Sequence, residues 1–265
     1  MRLQVLLSAM FLENYEYINS LHITGDCLVI NQCEQESTDT ITEEKRTVKY
    51  IETTERGLSK SRNMAIRNAD AEICILCDND VEYVENYESL ICDAFKKYQD
   101  ADIIVFYVKR KEKPQPNFPT ERVMNYLSVL KIFSPEIAFR RTAVRDRNIS
   151  FHEMFGAGAH YYMGEENIFL YDCLKAGLKI VYLPIQIAKL RETESTWFNG
   201  YEEHFFVSRG ANYCAMSRAG SIFLILQFAI RKRALYRESQ TMLKALALMF
   251  KGRRQYIKLK EKPSR

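Results

Sequence analysis

Asp78-Asn79-Asp80 closes a short apolar run, Ile73–Leu76, in a chain of 265 residues. On an extended segment the side chains of residues i and i+2 point the same way, so the two carboxylates can converge on one point. Hard divalent cations take such oxygen ligands, and Mg²⁺ typically combines one or two carboxylates with the phosphates of a substrate. The same tripeptide is also an ordinary Asp/Asn turn that stops a strand. Upstream, Arg56, Lys60 and Arg62 crowd around Gly57, Ser59 and Ser61. Cations beside a helix N-terminus suit a phosphate or diphosphate; a solvated basic helix face is the plainer account. Downstream, Gly164-Glu165-Glu166-Asn167 opens another helix. Acids in a first turn are favourable with the helix dipole, and an ionised one that reaches a hydroxyl can serve as general base. Just before it, the small residues Gly156-Ala157-Gly158-Ala159 suit close backbone approach to a ligand.

Regular elements must carry these groups. Leu3–Leu7, Cys27–Ile30, Val48–Ile51, Ile73–Leu76, Ile103–Val108 and Ile180–Leu183 are short, rich in Val and Ile, and bounded by polar or turn residues, which predicts buried strands. Ser59–Asn68, Tyr87–Tyr98 and Asn167–Ala176 read as helices, the last closed by Gly177. Strands alternating with helices predict an α/β fold whose sheet is mostly parallel and covered on both faces. In such a sheet, ligands sit at the carboxyl ends of the strands, where Asp78 and Asp80 fall. Lys109–Glu121 holds three of the six prolines and reads as a surface connection between two halves, with the composition of a loop over a site.

Composition narrows the class. With 47% hydrophobic and 27% charged residues, the chain is an ordinary globular protein able to bury a core without staples. Seven cysteines without framework spacing predict reduced thiols. Cys74 and Cys77 have the spacing of half a zinc site but no matching pair, so they read as small core residues. Leu3–Leu12 follows Arg2 like a weak signal peptide, yet no small-residue cleavage site follows and a buried strand explains it better. Residues 219–265 hold 12 bases and 2 acids, or +10, which leaves 26 bases and 32 acids, or −6, for the rest. This divides the chain into a body, 1–218, and a basic tail of two amphipathic helices, 219–265. Phe223, Leu224, Leu226, Phe228 and Ile230 before Arg231-Lys232-Arg233 form one apolar patch with a basic border. Leu246, Leu248, Met249 and Phe250 before Lys251 repeat the layout. Such patches fit an anionic membrane surface; helices packed on the body or on a partner subunit fit them too. The basic tail could also face nucleic acid, but zinc-finger spacing, zipper heptads and RNP-type motifs are all absent. Ile222–Ile230 is far short of the roughly 20 residues a spanning helix needs.

Taken in order, RGLSKSRNMAI, a strand running into DND, and GEEN opening a helix with FLYDCLKAGLKI behind it resemble the family 2 glycosyltransferases, especially bacterial enzymes of capsular or other surface polysaccharides. The resemblance spans about Met1 to Ala215. It implies a GT-A (Rossmann-like) fold, a nucleotide-sugar donor, a glycan or lipid-linked acceptor, inversion at the anomeric carbon, and a cytoplasmic site at the inner face of the membrane. It also implies that Asp78 and Asp80 hold Mn²⁺ or Mg²⁺ against the donor diphosphate. By the same likeness Arg62 lies beside the nucleotide with Lys60 nearby, and Glu166 is the catalytic base with Glu165 as the fallback; Arg56, from the same cationic cluster, is counted with the nucleotide-sugar-binding residues. Glu166 stands where the family usually has Asp. After the second strand the family usually has an acid that reads the base; here Asn31 takes that region and can hydrogen-bond a base edge. His204 and Arg209, in TWFNGYEEHFFVSRG, belong to a segment expected to fold back over the donor, His204 as a third metal ligand. His204 has an ordinary surface or core role open to it as well. Trp197 could stack on a sugar or fill the core. Two rivals remain. A sugar-phosphate nucleotidyltransferase would want a glycine-rich N-terminal loop, absent from Leu7–Phe11, and a donor-binding scaffold subunit would bind without turnover.

Overall fold

The computed structural model describes residues 1–44, 46–191 and 200–261; Trp197 lies outside them. Along the chain, β1 (Leu3–Met10), α1 (Tyr17–Ser20), β2 (Asp26–Gln32), β3 (Ser37–Thr42) and β4 (Thr47–Thr53) lead into α2 (Leu58–Asn68) and β5 (Ile73–Asp78). There follow β6 (Val81–Tyr83), α3 (Tyr87–Lys97), β7 (Ile103–Lys109), β8 (Arg122–Val123), β9 (Ile137–Arg140) and α4 (Arg141–Arg145). The remainder is α5 (Glu165–Lys175), β10 (Ile180–Leu190), α6 (Glu203–Met216), α7 (Ser221–Arg231), α8 (Arg233–Tyr236) and α9 (Met242–Glu261).

The strands form one sheet in the order β3-β4-β2-β1-β5-β9-β7-β10-β6, with β8 on β10. β4, β2, β1 and β5 are mutually parallel, as the alternating pattern predicts, and β7 pairs parallel with β10. β9 is wedged antiparallel between β5 and β7, and β3, β6 and β8 also pair antiparallel, so the complete sheet is mixed. β10 runs past Leu183 because register shifts near Gln186 accommodate Pro184, which cannot join a regular ladder.

Side chains alternate across the sheet into two apolar layers. Leu6, Leu28, Cys74 and Leu76 face one layer with α2, α5 and α6, while Val5, Leu7, Ile75 and Cys77 face the other with α3. Cys74 and Cys77 thus point to opposite faces, and all seven cysteines are unpaired.

The tail helices join the first layer. Leu224, Ile225, Phe228, Tyr236, Ala245, Leu248, Met249 and Tyr256 belong to the same cluster as the sheet's Leu6 and Leu76. α9 crosses α6 at two glycines: a Cβ on Gly210 would stand 1.9 Å from the Met249 carbonyl oxygen, and one on Gly252 would stand 1.9 Å from that of Val207. Of the two apolar patches read in the tail, the second is therefore turned inward at Leu248 and Met249. The first divides: Leu224 and Phe228 are buried, while Phe223, Leu226 and Ile230 are exposed together with Ile222. Among the described residues no helix is long and apolar enough to cross a membrane.

Candidate active site

Arg62 is the hinge of the site. It projects from α2, is 1% exposed, and its side chain lies against the Phe151 ring. One guanidinium nitrogen donates to Glu165 Oε1 at 2.8 Å. Another donates to Asp78 Oδ1 and Oδ2 at 2.9 and 3.2 Å. Burial alone would lower the arginine's pKa, but the Asp78 and Glu165 charges outweigh it and the net shift is upward. The carboxyl end of β5 and the N-terminus of α5, far apart in sequence, are thereby tied to one cation.

Gly164 makes this possible. At φ +85° it is left-handed, a conformation that costs a side chain heavily but not glycine. Its carbonyl accepts from the buried Asn212 amide of α6 at 2.8 Å, and a Cβ there would stand 2.3 Å from that nitrogen. α5 then starts with two acids about 100° apart around its axis. Glu165 is spent on Arg62. Glu166 has no ion pair among the described residues, and burial plus the Glu165 charge push its carboxyl well above the usual range, against the opposing pull of Arg62 and Arg209.

Asp80 is also unspent. It has no ion-pair partner among the described residues, and burial together with the Asp78 charge raises it to about 6. Two carboxylates crowded in this way, one held by arginine and one open, suit a divalent cation that draws its other ligands from phosphate and water.

A cleft of about 870 Å³ is lined by Arg62, Asp78, Glu165, Glu166, Tyr162 and Arg209, among others. Arg209 lies over the rings of Phe205, Tyr213 and Phe228. The remaining expected residues are placed differently. Asn31 is fully buried, and its amide is engaged by Leu12, Tyr50 and Glu52, so it shapes the turn after β1. Arg56 is outside the cleft lining, paired with Glu34 at 2.7 Å and lying over the exposed Phe11 ring. Lys60 lies on α2, half-buried and outside the cleft lining. His204 is not brought to the aspartates: it is exposed and stacks on Tyr162, ring centroids 4.9 Å apart. Among the described residues no group of three His, Cys, Asp or Glu side chains gathers as a metal site.

Sequence reasoning missed Asn212, whose role depends on a glycine 48 positions away, and Tyr162, which nothing in its neighbourhood marks out. It also missed the cationic far end of the cleft, although the basic residues of 109–121 were visible.

Solved structures share this architecture. S. aureus TarS 1-349 in complex with UDP-GlcNAc superposes with a TM-score of 0.68 at 16% identity, covering 97% of this chain and 81% of that one. The mannosyltransferase PcManGT from Pyrobaculum calidifontis, in complex with GDP-Man and Mn²⁺, gives 0.53 at 13% identity, with 98% and 88% covered. At these identities the likeness establishes the fold, which is GT-A. A sequence comparison with curated proteins finds no match. Residues 20–162, more than half of the chain, match the family model described as Glycosyl transferase family 2, and the chain belongs to that family.

Proposed function

We propose that this enzyme transfers a sugar, with inversion, from a nucleotide-sugar donor to a hydroxyl of a bacterial surface glycan carried on a lipid. The observation that supports this most is the double grip of Arg62, which sets Asp78, at the end of β5, and the start of α5 against one cleft. Donors seen in the structural relatives, UDP-GlcNAc in TarS and GDP-Man in PcManGT, support a nucleotide sugar here.

Asp80 and Asp78 would hold Mn²⁺ or Mg²⁺, with Asp80 the more available because Arg62 engages both oxygens of Asp78. Such an ion supplies charge neutralisation at a leaving diphosphate. Glu166, without an ion pair among the described residues and lining the cleft, takes the proton of the acceptor hydroxyl, and its raised pKa makes it a stronger base than a surface carboxylate. Glu165 acts through Arg62 as a positioning residue. Phe11, beside the turn that Asn31 holds, offers the nucleotide an exposed aromatic face, with Arg56 over it and paired to Glu34.

The exposed side of α7 supports docking on an anionic bilayer. Ile222, Phe223, Leu226 and Ile230 supply apolar area, and Arg233 and Arg237 follow it in sequence. Sedimentation with phosphatidylglycerol vesicles, compared with Phe223→Ser/Ile230→Ser, tests this part alone.

The donor site is tested by calorimetric titration with UDP, GDP, CMP and dTDP, with and without Mn²⁺, on the wild type and on Asp80→Ala. One nucleotide should bind in a metal-dependent manner and lose that dependence in the variant. No binding of any nucleotide by the folded protein would overturn the reading.

A further inference from the structure

Beyond Glu166 the cleft changes sign. Its far end is lined by Arg110, Lys113, Arg122 and Lys131 from the segment after β7, and by Arg231 and Lys232 from the end of α7. A two-way backbone pairing between Arg110 and Lys113 folds the start of that segment back on itself. Arg122 and Lys131 converge on the Phe118 ring, at 4.5 and 4.7 Å from its centroid. Among the described residues the one carboxylate paired with any of the six is the buried Glu136, 3.7 Å from Arg110.

Elsewhere several surface lysines meet acids: Lys96 with Asp93, Lys175 with Asp172, Lys189 with Glu82 and Lys244 with Glu203. For the four cations between Arg110 and Lys131 a general excess is not the cause, because residues 1–218 are net acidic; Arg231 and Lys232 belong to the basic tail. Lys113 is held partly buried among Arg110, Lys131 and Lys232, and burial and those like charges lower its pKa. Cations gathered without a matching set of carboxylates repel one another until an anion enters, and a wall of one sign focuses its field on such a ligand.

The donor diphosphate does not account for this end. Asp78 ends β5, whereas the segment carrying four of these cations leaves β7, two strand spacings away across β9. That is about 10 Å at the usual interstrand distance.

Resting on the transferase reading above, we infer that this end of the cleft is an acceptor subsite for anionic groups, the phosphates or carboxylates of the acceptor itself. The acceptor lies along the cationic wall and presents its hydroxyl to Glu166. Two sources carry this chemistry: an anionic glycan backbone, or the diphosphate that joins a glycan to its lipid.

The test uses the full chain, saturated with Mn²⁺ and whichever nucleotide the titrations identify. Short-chain polyphosphate, sialic acid oligomers, geranyl diphosphate, inorganic pyrophosphate and neutral dextran oligosaccharide are titrated in turn. Each is repeated on Arg122→Gln/Lys131→Gln/Lys232→Gln, all exposed positions whose loss should not unfold the chain. The anions should bind without displacing nucleotide and weaken at least about 10-fold in the variant, while nucleotide affinity stays constant and dextran does not bind. Geranyl diphosphate well ahead of pyrophosphate would assign the lipid-linked diphosphate; polyphosphate or sialic acid oligomers in front would assign the glycan backbone. Anion binding unchanged in the variant, absent altogether, or won by expelling nucleotide would overturn the inference. A chain that binds the anions but no nucleotide would instead count against the donor reading and leave the anion subsite standing.

Discussion

Arg62 and Glu165 form a buried ion pair at 2.8 Å, and through it the first turn of α5 is fastened to the end of β5. The adjacent Glu166 is left without such a partner among the described residues. Two neighbouring acids, identical in type, are thus divided into one that holds the site together and one that is available for chemistry.

Removing one member of a buried ion pair leaves an uncompensated charge and typically costs about 3–5 kcal/mol. Arg62→Ala should therefore lower unfolding stability by roughly that amount in urea titrations. Arg62→Met/Glu165→Gln should recover part of the loss, although neither variant should transfer sugar.

Glu165→Gln and Glu166→Gln should separate cleanly. Glu166→Gln should reduce kcat by at least about 10²-fold with nucleotide binding retained, the scale of a lost general base. At pH above the raised value, where the carboxyl is ionised, it should also raise Tm, because an amide removes the burden of a partly buried carboxylate that has no ion pair among the described residues. Glu165→Gln should instead lower Tm.

The pH dependence follows from the same residues. Glu166 binds its proton more tightly in the folded chain than in the unfolded one. Its contribution to stability is thus greatest at low pH and declines as pH rises from the usual carboxylate range through the raised value. Activity should move the opposite way, falling as pH drops through that raised value and the base becomes protonated. At Asp80, raised to about 6, protons compete with the cation, so apparent Mn²⁺ affinity in calorimetry should weaken as pH falls below about 6.

Gly210→Ala and Gly252→Ala each place a methyl group 1.9 Å from a carbonyl of the facing helix. The backbones must separate, so each should cost about 1–3 kcal/mol or more despite alanine's better helix propensity. Thermal melts of the two single variants check this.

The sequence made several elements legible because their signals are local. The run into Asp78, the helix beginning near Ser59 and the glycine after α5 need only neighbouring residues to be read. β9 was not legible: Ile137–Arg140 is four residues long, and only its two flanking strands make it a strand. α6 was not assigned as a helix either. It is buried on nearly every side, so it lacks an amphipathic stripe, and Gly210 lowers its propensity for the sake of the crossing with α9. At the site, residue types were legible but partners were not. Arg62 and Glu165 are 103 positions apart, and nothing local decides which of two adjacent acids turns toward the arginine.

α7 belongs to two surfaces at once. Gln227, Phe228, Arg231 and Lys232 wall the cleft, while Ile222, Phe223, Leu226 and Ile230 face away from the core. With the outer surface resting on lipid headgroups, the helix becomes a spacer about 10 Å thick between bilayer and cleft. The enzyme would then work at a set height, reaching a hydroxyl a sugar or two above the lipid and passing over one that lies flush with the headgroups.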